Sequence, residues 1–167
     1  MKKEDMEKMK PTKKHRLLFI CLGNICRSPA AEGVMKHIVE AAGRSDDFVI
    51  DSAGIGDWHV GQLPDARMRR RGALRGYRFD SRARQIRRAD FADFDLLLVM
   101  DNNNFTTVSA MAPDGQSRKR VVMLADFLTR HDGVRAVPDP YYGDEKDFDY
   151  ALDLIEDACA GLLRELA

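Results

Sequence analysis

Cys21 and Arg27 stand six positions apart in the segment CLGNICRS, with Ser28 directly after the arginine. A cysteine thiolate is a nucleophile, and a guanidinium is a planar fork that can bind two oxygens of a tetrahedral oxyanion. The segment follows a short apolar run, contains a glycine turn and leads into a Ser-Pro pair typical of a helix start. A loop in that position offers backbone N–H groups to an anion. The sequence therefore predicts an oxyanion site at whose centre the thiolate form of Cys21 is favoured.

The residues alone leave a second interpretation of this segment open. Cys21 and Cys26 belong to a residue type that is often buried as a small hydrophobe, and a turn can hold them there without any chemistry. Other phosphate-binding motifs fit less well. The pattern G-x-x-x-x-G-K-[ST] is absent, and the Gly-Ile-Gly of residues 54–56 is followed by His59 where G-x-G-x-x-G needs its third glycine.

The elements that must position this segment are short apolar runs alternating with helical periods. The apolar runs predict four buried strands, at residues 17–20, 48–50, 96–100 and 121–124. Helical spacing predicts four helices, at residues 28–43, 64–74, 103–111 and 148–166, the first with Ser28 as its N-cap. We expect an α/β single-domain three-layer fold, a four-stranded parallel sheet flanked by helices on both faces. Ligands of such sheets bind beyond the carboxyl ends of the strands, which is where CLGNICRS begins.

The composition restricts the classes of function. The chain has 167 residues, 44% hydrophobic and 32% charged, and Lys+Arg 27 balance Asp+Glu 27. These values predict one ordinary domain and argue against a dedicated nucleic-acid binder. There is no apolar run long enough to cross a bilayer, no secretory signal pattern and no dense cysteine framework. We expect a cytoplasmic protein with free thiols, a flexible charged arm at residues 1–14 and one domain at residues 15–167.

A basic stretch and four histidines need separate interpretation. Ten arginines stand at positions 67, 69, 70, 71, 75, 78, 82, 84, 87 and 88. Such a stretch can bind nucleic acid, acidic peptides or an anionic membrane, but we favour a solvated helix face balanced by acids elsewhere. Steering of anionic substrates is an intermediate interpretation. The histidines, at positions 15, 37, 59 and 131, lack metal-ligand spacing, so no metal site is predicted.

The segment LLFICLGNICRSPAAEG closely resembles the active-site segment of the low molecular weight protein tyrosine phosphatases. The similarity continues in family order through D-S-A-G at 51–54, D-W-H-V-G at 57–61, A-R-Q at 83–85 and D-P-Y-Y-G at 139–143. It covers essentially the whole chain from Arg16. The resemblance implies hydrolysis of phosphotyrosine in proteins, with inorganic phosphate or similar oxyanions as product or inhibitors. It implies no cofactor, no nucleic acid and no membrane partner.

The resemblance also implies a role for each catalytic residue. Cys21 attacks phosphorus and becomes a phosphocysteine, while Arg27 binds the phosphate. Asp139 is the general acid and later the general base, a role that a carboxyl group can fill in both directions. Ser28 stabilises the thiolate through its hydroxyl, and Asn24 braces the loop from within. The loop residues implied to bind or support the phosphate are Leu22, Gly23, Asn24, Ile25, Cys26 and Ser28.

Further implications concern the cleft and the loop's surroundings. Trp58, Tyr141 and Tyr142 resemble the aromatic walls of the substrate cleft, with partial core packing as the alternative for Trp58. Cys26 is implied as a reversible disulfide partner of the nucleophile, with inert packing as its alternative. Many relatives have His where this chain has Ser81, and in them that His is hydrogen-bonded to the loop asparagine.

Three other functions are weaker. Arsenate reductases share the fold and the anion loop, but they need further redox cysteines near the middle of the chain, and residues 80–90 contain none. A phosphate-binding module without catalysis is disfavoured because Cys21, Arg27 and Asp139 are all present. Relatives that prefer phosphoarginine carry Thr where this chain has Ile25, so phosphotyrosine is the predicted substrate.

Overall fold

Strands and helices alternate along residues 13–166, the part of the chain that the computed structural model describes. The elements are β1 (His15–Cys21), α1 (Arg27–Ala41), β2 (Phe48–Gly54), α2 (Ala66–Ala73), α3 (Asp90–Asp93), β3 (Leu96–Val99), α4 (Asn102–Met111), α5 (Gly115–Arg118), β4 (Val121–Met123) and α6 (Glu145–Glu165). Two short 3-10 turns lie at Ser45–Asp47 and Leu124–Phe127. Within this described part, no helix is both long and apolar enough to span a membrane. The arm predicted at residues 1–14 lies almost entirely outside it and stays a prediction.

The four strands form one parallel sheet in the order β2-β1-β3-β4, which confirms the predicted α/β fold. Successive side chains of β1 point to opposite faces, as the twofold period of a strand requires. Leu17 and Phe19 join the core cluster that contains residues of α1 and α6. Leu18 and Ile20 join a second cluster with residues of α3 and α4. Every strand is parallel, so all carboxyl ends lie at one edge, with Cys21 directly opposite Gly54.

The predicted N-cap of the first helix, Ser28, is wrong by two residues, and the error has a chemical cause. Helix α1 begins at Arg27, and its N-cap position, Cys26, makes no side-chain cap. Ser28 therefore lies inside the first turn, where its hydroxyl contacts the Cys21 thiol and the Asn24 amide. A serine before proline acts as a cap only when its oxygen is free to accept a backbone N–H.

Ion pairs connect α2 to α6 and account for part of the basic stretch. Arg71 binds Asp149 through two hydrogen bonds of 2.9 and 2.7 Å. Arg75 lies 2.8 Å from Asp153 and also contacts Glu156. The sequence favoured a helix face whose arginines are balanced by acids elsewhere in the chain. Arg71 and Arg75 are balanced in this way.

A buried carboxylate on α6 fixes the start of the loop that leads to Asp139. Asp157 has 1% of its side chain exposed, and it accepts hydrogen bonds from Thr129 N at 3.1 Å, Thr129 Oγ1 at 2.8 Å, Arg130 N at 2.9 Å and His131 Nδ1 at 2.7 Å. Burial raises the pKa of Asp157, but these hydrogen bonds outweigh burial and hold the pKa well below its usual range.

Asp157→Asn should lower the free energy of unfolding by about 3 kcal/mol at neutral pH, because the amide cannot satisfy the same donors. The pKa is lower in the folded state than the reference value of 3.8. The stabilisation is therefore complete above that value and is lost as the pH falls below it. In urea denaturation, the difference in free energy of unfolding between wild type and Asp157→Asn should become smaller as the pH falls below 3.8.

Asp132→Asn, at an exposed position of the same loop, is the control and should change the free energy of unfolding by under about 0.5 kcal/mol. Equal stability of Asp157→Asn and wild type at pH 7 would contradict this account.

Candidate active site

Residues 22–26, between β1 and α1, form a loop that we call the anion loop. Two of its carbonyl groups accept hydrogen bonds from neighbouring segments. Gly56 N donates to Leu22 O at 2.9 Å, and Asp65 N donates to Ile25 O at 2.7 Å. Within residues 13–166, the N–H groups of the anion loop donate to no other group. Asn24 adopts φ 57°, a left-handed conformation that asparagine tolerates better than most residues. The loop thus keeps its N–H donors for an anion.

The thiol of Cys21 has a hydroxyl donor whose direction is fixed by its neighbours. Ser28 Oγ lies 2.9 Å from Cys21 Sγ. The amide nitrogen of Asn24 donates to the same Ser28 oxygen at 2.8 Å. Because an amide NH₂ can only donate, the hydroxyl hydrogen of Ser28 is left for the sulfur. A donor in that position stabilises a thiolate.

The side chain of Asn24 is braced by residues far away in the sequence. Its Nδ2 donates to Ser52 Oγ at 3.0 Å, and its Oδ1 accepts from Arg84 N at 3.0 Å. Ser52 in turn donates to Glu32 Oε1 at 2.5 Å. Glu32 is 4% exposed and pairs with Lys36 Nζ at 2.5 Å. Since a carboxylate only accepts, the direction of every bond in this chain is determined.

Ser81 takes no part in this brace. The side-chain hydrogen bonds of Asn24 reach Ser28, Ser52 and Arg84. Ser81 instead lies beside Glu32 at a second cavity of about 220 Å³. In this chain Asn24 is supported through Ser52 and Glu32.

The guanidinium of Arg27 is buried and held by two acceptors. Only 3% of its side chain is exposed. Its Nη1 donates to Asp101 Oδ2 at 2.7 Å and to Val137 O at 2.8 Å. Asp101 is itself fixed, because its other oxygen accepts from Asn104 N at 2.8 Å and caps α4. The remaining guanidinium N–H groups are presented in a fixed plane, as bidentate binding of an oxyanion requires.

Asp139 lies next to this guanidinium and is open to solvent. Its Oδ2 is 3.7 Å from Arg27 Nη2, and 40% of its side chain is exposed. Its Oδ1 accepts from Tyr141 N at 3.1 Å, which fixes the turn that begins at Asp139-Pro140. Asp139 can therefore begin the turn and at the same time place its carboxyl group beside the guanidinium of Arg27.

A cavity of about 290 Å³ unites the predicted site residues. Its lining includes the residues predicted to catalyse and those predicted as aromatic walls, which are Cys21, Arg27, Asp139, Trp58, Tyr141 and Tyr142. Leu22, Gly23, Ile25 and Cys26 line its floor. Asn24 and Ser28 do not line it, because they lie buried behind the nucleophile.

The aromatic walls are held from outside the cavity. Trp58 is 65% exposed, so its alternative as a core residue is wrong. Its ring lies over Gly56, where an added Cβ would stand 1.9 Å from the ring. Arg67 donates to Tyr141 O at 3.0 Å and lies over the Tyr141 ring. Tyr142 is 95% exposed and contacts Tyr141 edge-on, with ring centroids 4.9 Å apart.

The two cysteines of the cavity have different surroundings. Burial raises the pKa of the Cys26 thiol far above its usual value, and the negative charge of Asp65 adds to the effect. Cys26 is therefore held as a thiol, while Cys21 has the Ser28 hydroxyl beside its sulfur. Cys159 is fully buried on α6.

Four residues of the site were not identified from the sequence. His59 lines the cavity, with its Nδ1 3.1 Å from Gln62 Oε1. It stands beside Trp58 in a motif that was noted, but it was given no role. Asp101 comes two residues after the end of β3. Ligands of parallel sheets bind beyond the carboxyl ends of the strands, and this rule indicates Asp101 as a site residue. Ser52 and Glu32 also lie in segments that carry the family resemblance, D-S-A-G and LLFICLGNICRSPAAEG, which indicated no role for either.

The comparisons with known proteins agree with this geometry. The family described as low molecular weight phosphotyrosine protein phosphatase matches residues 16–167. A Synechocystis protein that carries this family's name is 50% identical over 151 residues, covering 90% of this chain and 96% of the relative. A crystal structure of a protein tyrosine phosphatase from Entamoeba histolytica has a TM-score of 0.88 and 43% identity, covering 92% of this chain and 97% of that one. The structure of a Drosophila arginine phosphatase has a TM-score of 0.84 and 31% identity, covering 90% and 96%.

Fold and site together define an α/β hydrolytic enzyme with a cysteine and an arginine on one anion loop at the carboxyl edge of a parallel sheet. The family match spans nearly all of the described chain and includes every motif of the cavity. The chain belongs to the low molecular weight phosphotyrosine protein phosphatase family, whose members are phosphoric monoester hydrolases.

Proposed function

We propose that this protein hydrolyses phosphotyrosine in proteins through a phosphocysteine intermediate on Cys21, with Arg27 binding the phosphate and Asp139 as general acid and base. One observation carries the proposal. A single cavity joins a thiol with its own hydroxyl donor, a loop of unused N–H groups and a fixed guanidinium, with a carboxyl group 3.7 Å from that guanidinium.

In the first step the Cys21 thiolate attacks phosphorus in line with the tyrosyl oxygen. The S–P bond forms as the P–O bond breaks, and Asp139 gives its proton to the departing phenolate. The N–H groups of the anion loop and Arg27 hold the equatorial oxygens, where negative charge develops in the transition state. These donors act in a partly buried site and need no rearrangement during the step.

In the second step Asp139, now a carboxylate, takes a proton from water. The water oxygen attacks phosphorus and the S–P bond breaks, releasing inorganic phosphate and the Cys21 thiolate. The Ser28 hydroxyl stabilises that thiolate as a leaving group, just as it does before the first step. The nucleophile acts only as a reduced thiol, so a reducing compartment such as the cytoplasm suits the mechanism.

The cavity walls favour an aromatic substrate. Trp58, Tyr141 and Tyr142 offer faces and edges to a phenyl ring, and ring pairs of this kind are worth about 1 kcal/mol beyond burial. Ile25 lines the floor with an apolar side chain, which provides no acceptor for the guanidinium of a phosphoarginine. The proposed partners are therefore phosphotyrosine-containing proteins, with inorganic phosphate or a similar oxyanion as product or inhibitor.

The test is a comparison of substrates with the reduced, purified protein. Phenyl phosphate and a phosphotyrosine peptide should be hydrolysed, and phosphoserine and phosphoarginine peptides of the same sequence should react far more slowly. Faster hydrolysis of the phosphoarginine peptide would contradict the substrate assignment. Absence of turnover on every ester would overturn the proposed hydrolysis.

Ser28→Ala should lower kcat for phenyl phosphate about 10–100-fold, because a hydrogen bond to a charged group contributes roughly 1.5–3 kcal/mol. The same variant should react more slowly with iodoacetate at Cys21, since the sulfur loses the hydroxyl donor that lies 2.9 Å from it. Ser81→Ala is the matched control, and it should stay within about twofold of wild type because Ser81 does not bond to Asn24. Wild-type kinetics for Ser28→Ala would remove Ser28 from the mechanism.

A further inference from the structure

Arg82 is an exposed arginine whose side chain is held against one wall of the catalytic cavity. Its Nη1 donates to Gly61 O at 3.1 Å. The backbone on both sides of it is also fixed, because Gly61 N donates to Ala83 O at 2.8 Å and Ala83 N donates to Gln62 O at 2.9 Å. Within residues 13–166, no carboxylate lies within ion-pair distance of its guanidinium, in contrast to Arg71 and Arg75.

The contacts of this segment lead directly to the cavity. Gln62 N donates to His59 O at 2.9 Å, and Gln62 Oε1 lies 3.1 Å from His59 Nδ1. The His59 ring lines the cavity and packs against Gly23 of the anion loop, where an added Cβ would stand 3.0 Å from the ring. Arg84, two residues after Arg82, donates from its backbone to the Asn24 side chain. The arginine thus binds the segment of residues 58–62, of which Trp58 and His59 line the cavity.

The other segment that lines the cavity contains several carboxylates. Asp139 stands there, and the chain continues into the acidic start of α6. The carboxylates in this region are Asp139, Asp144, Glu145 and Asp147. The acid nearest to Arg82 in the sequence is Asp80, which pairs with Arg78 at 3.2 Å and, within residues 13–166, forms no ion pair with Arg82. Glu145 of this segment pairs with Arg71, and Arg67 lies over the Tyr141 ring, so both signs of charge occur there. A phosphorylated segment lying across the cavity therefore meets in Arg82 a cation that, within the described residues, pairs with no carboxylate.

From this arrangement we infer that Arg82 is a specificity-determining residue that binds an acidic side chain flanking the phosphotyrosine of the substrate. The inference rests on the proposed function for the phosphotyrosine itself and adds the chemistry of its neighbours. Arg82 has guanidinium N–H groups beyond its one bond to Gly61, so a carboxylate of the substrate can bind there with a fork geometry. It does not touch the phosphate or the reacting atoms.

The experiment compares two phosphotyrosine peptides that differ only in their flanks, with Glu on both sides of the phosphotyrosine in one and Gln in the other. Wild type should have a kcat/KM about fivefold higher for the Glu peptide, the effect expected of one exposed ion pair of favourable geometry. Arg82→Gln should lose this ratio, and Arg82→Glu should reverse it. All three proteins should hydrolyse phenyl phosphate within about twofold of one another, because that ester has no flanks. The ratio should shrink in 1 M salt, where the screening length is about 3 Å.

Arg118→Glu is the matched control. Arg118 is also exposed and also donates once to a backbone carbonyl, Ser109 O at 3.4 Å. It lies at the end of α5, just before β4 begins, and so at the opposite edge of the sheet from the cavity. The ratio between the peptides should be unchanged in this variant. An equal loss of the ratio in Arg118→Glu would overturn the inference in favour of steering by total charge.

A binding measurement separates failure of this inference from failure of the proposed function. Trp58 is the chain's only tryptophan and lines the cavity, so its fluorescence reports binding of either peptide without any turnover. In the Cys21→Ser background, the Glu peptide should bind about fivefold more tightly, and Arg82→Gln should remove that difference. Equal binding of both peptides with Arg82 present would overturn the inference. A binding difference that depends on Arg82, without turnover by the wild type, would support the inference and reject the proposed hydrolysis.

Discussion

Cys21→Ser is expected to reduce turnover of phenyl phosphate and phosphotyrosine peptides by at least about 10⁴-fold, since it removes the group that forms the covalent intermediate. A serine hydroxyl in the same place remains protonated at neutral pH. Asp139 cannot serve as its base in the first step, because there it carries the proton for the leaving group. The neighbouring Ser28 hydroxyl lies beside position 21 but is too weak a base to take the proton. Initial rates of phenol release measure the effect.

Two controls separate loss of the nucleophile from loss of the fold. Cys21→Ser should still bind inorganic phosphate, because the N–H groups of the anion loop and Arg27 are unchanged. Cys159→Ser alters a thiol on α6 that is fully buried in the core and donates to Ala31 O at 3.9 Å, and this variant should keep its activity. Substantial turnover by Cys21→Ser would place the nucleophile elsewhere and contradict the mechanism.

Asp139→Asn is expected to lower kcat for phenyl phosphate by about 10²–10⁴-fold, the usual contribution of a general acid. The loss should be smaller for dinitrophenyl phosphate, because its leaving group departs without needing a proton. This dependence on the leaving group separates proton donation from a merely structural effect on Arg27, whose guanidinium lies 3.7 Å from the carboxyl group. Single-turnover kinetics with the two esters give the comparison.

Asp132→Asn is the matched control for this prediction, because Asp132 is an exposed carboxylate seven residues earlier in the same loop. It should leave both esters unaffected. An equal loss for both esters in Asp139→Asn would show that Asp139 positions Arg27 and does not donate a proton. Wild-type kcat for phenyl phosphate would remove Asp139 from the chemistry altogether.

The four strands and their parallel arrangement could be predicted from the sequence, because apolar runs and the helical segments between them are local patterns. Strands β1 and β3 are buried on both faces and read as unbroken apolar runs, and their parallel pairing followed from the helices between them. The order of the elements then located the anion loop at the carboxyl edge. Trp58 showed the limit of this reasoning, since a tryptophan suits both a core and a cleft wall until its exposure is known.

The hydrogen bonds that support Cys21 through Asn24 could not be predicted from local patterns, because they join residues far apart in the sequence. Asn24 bonds to Ser52, 28 residues later, and to Arg84, 60 residues later. The apolar period of α1 predicts its buried face but does not indicate that Glu32 lies on that face to accept from Ser52. The prediction of Ser28 as an N-cap was wrong for a related reason, whereas the resemblance implied its contact with the thiolate. Its hydroxyl suits both a helix cap and a thiolate donor, and only the contact with Cys21 distinguishes the two.

The most direct test of the central claim is detection of the phosphocysteine. Asp139→Asn should be mixed with dinitrophenyl phosphate, because formation of the intermediate then needs no acid while its hydrolysis lacks the base. The protein is rapidly denatured, digested and analysed by mass spectrometry. The mechanism predicts one phosphoryl group on the peptide that contains Cys21, and none when Cys21 is replaced by Ser. A phosphoryl group on another residue, or turnover by wild type without any phosphorylated peptide, would contradict it.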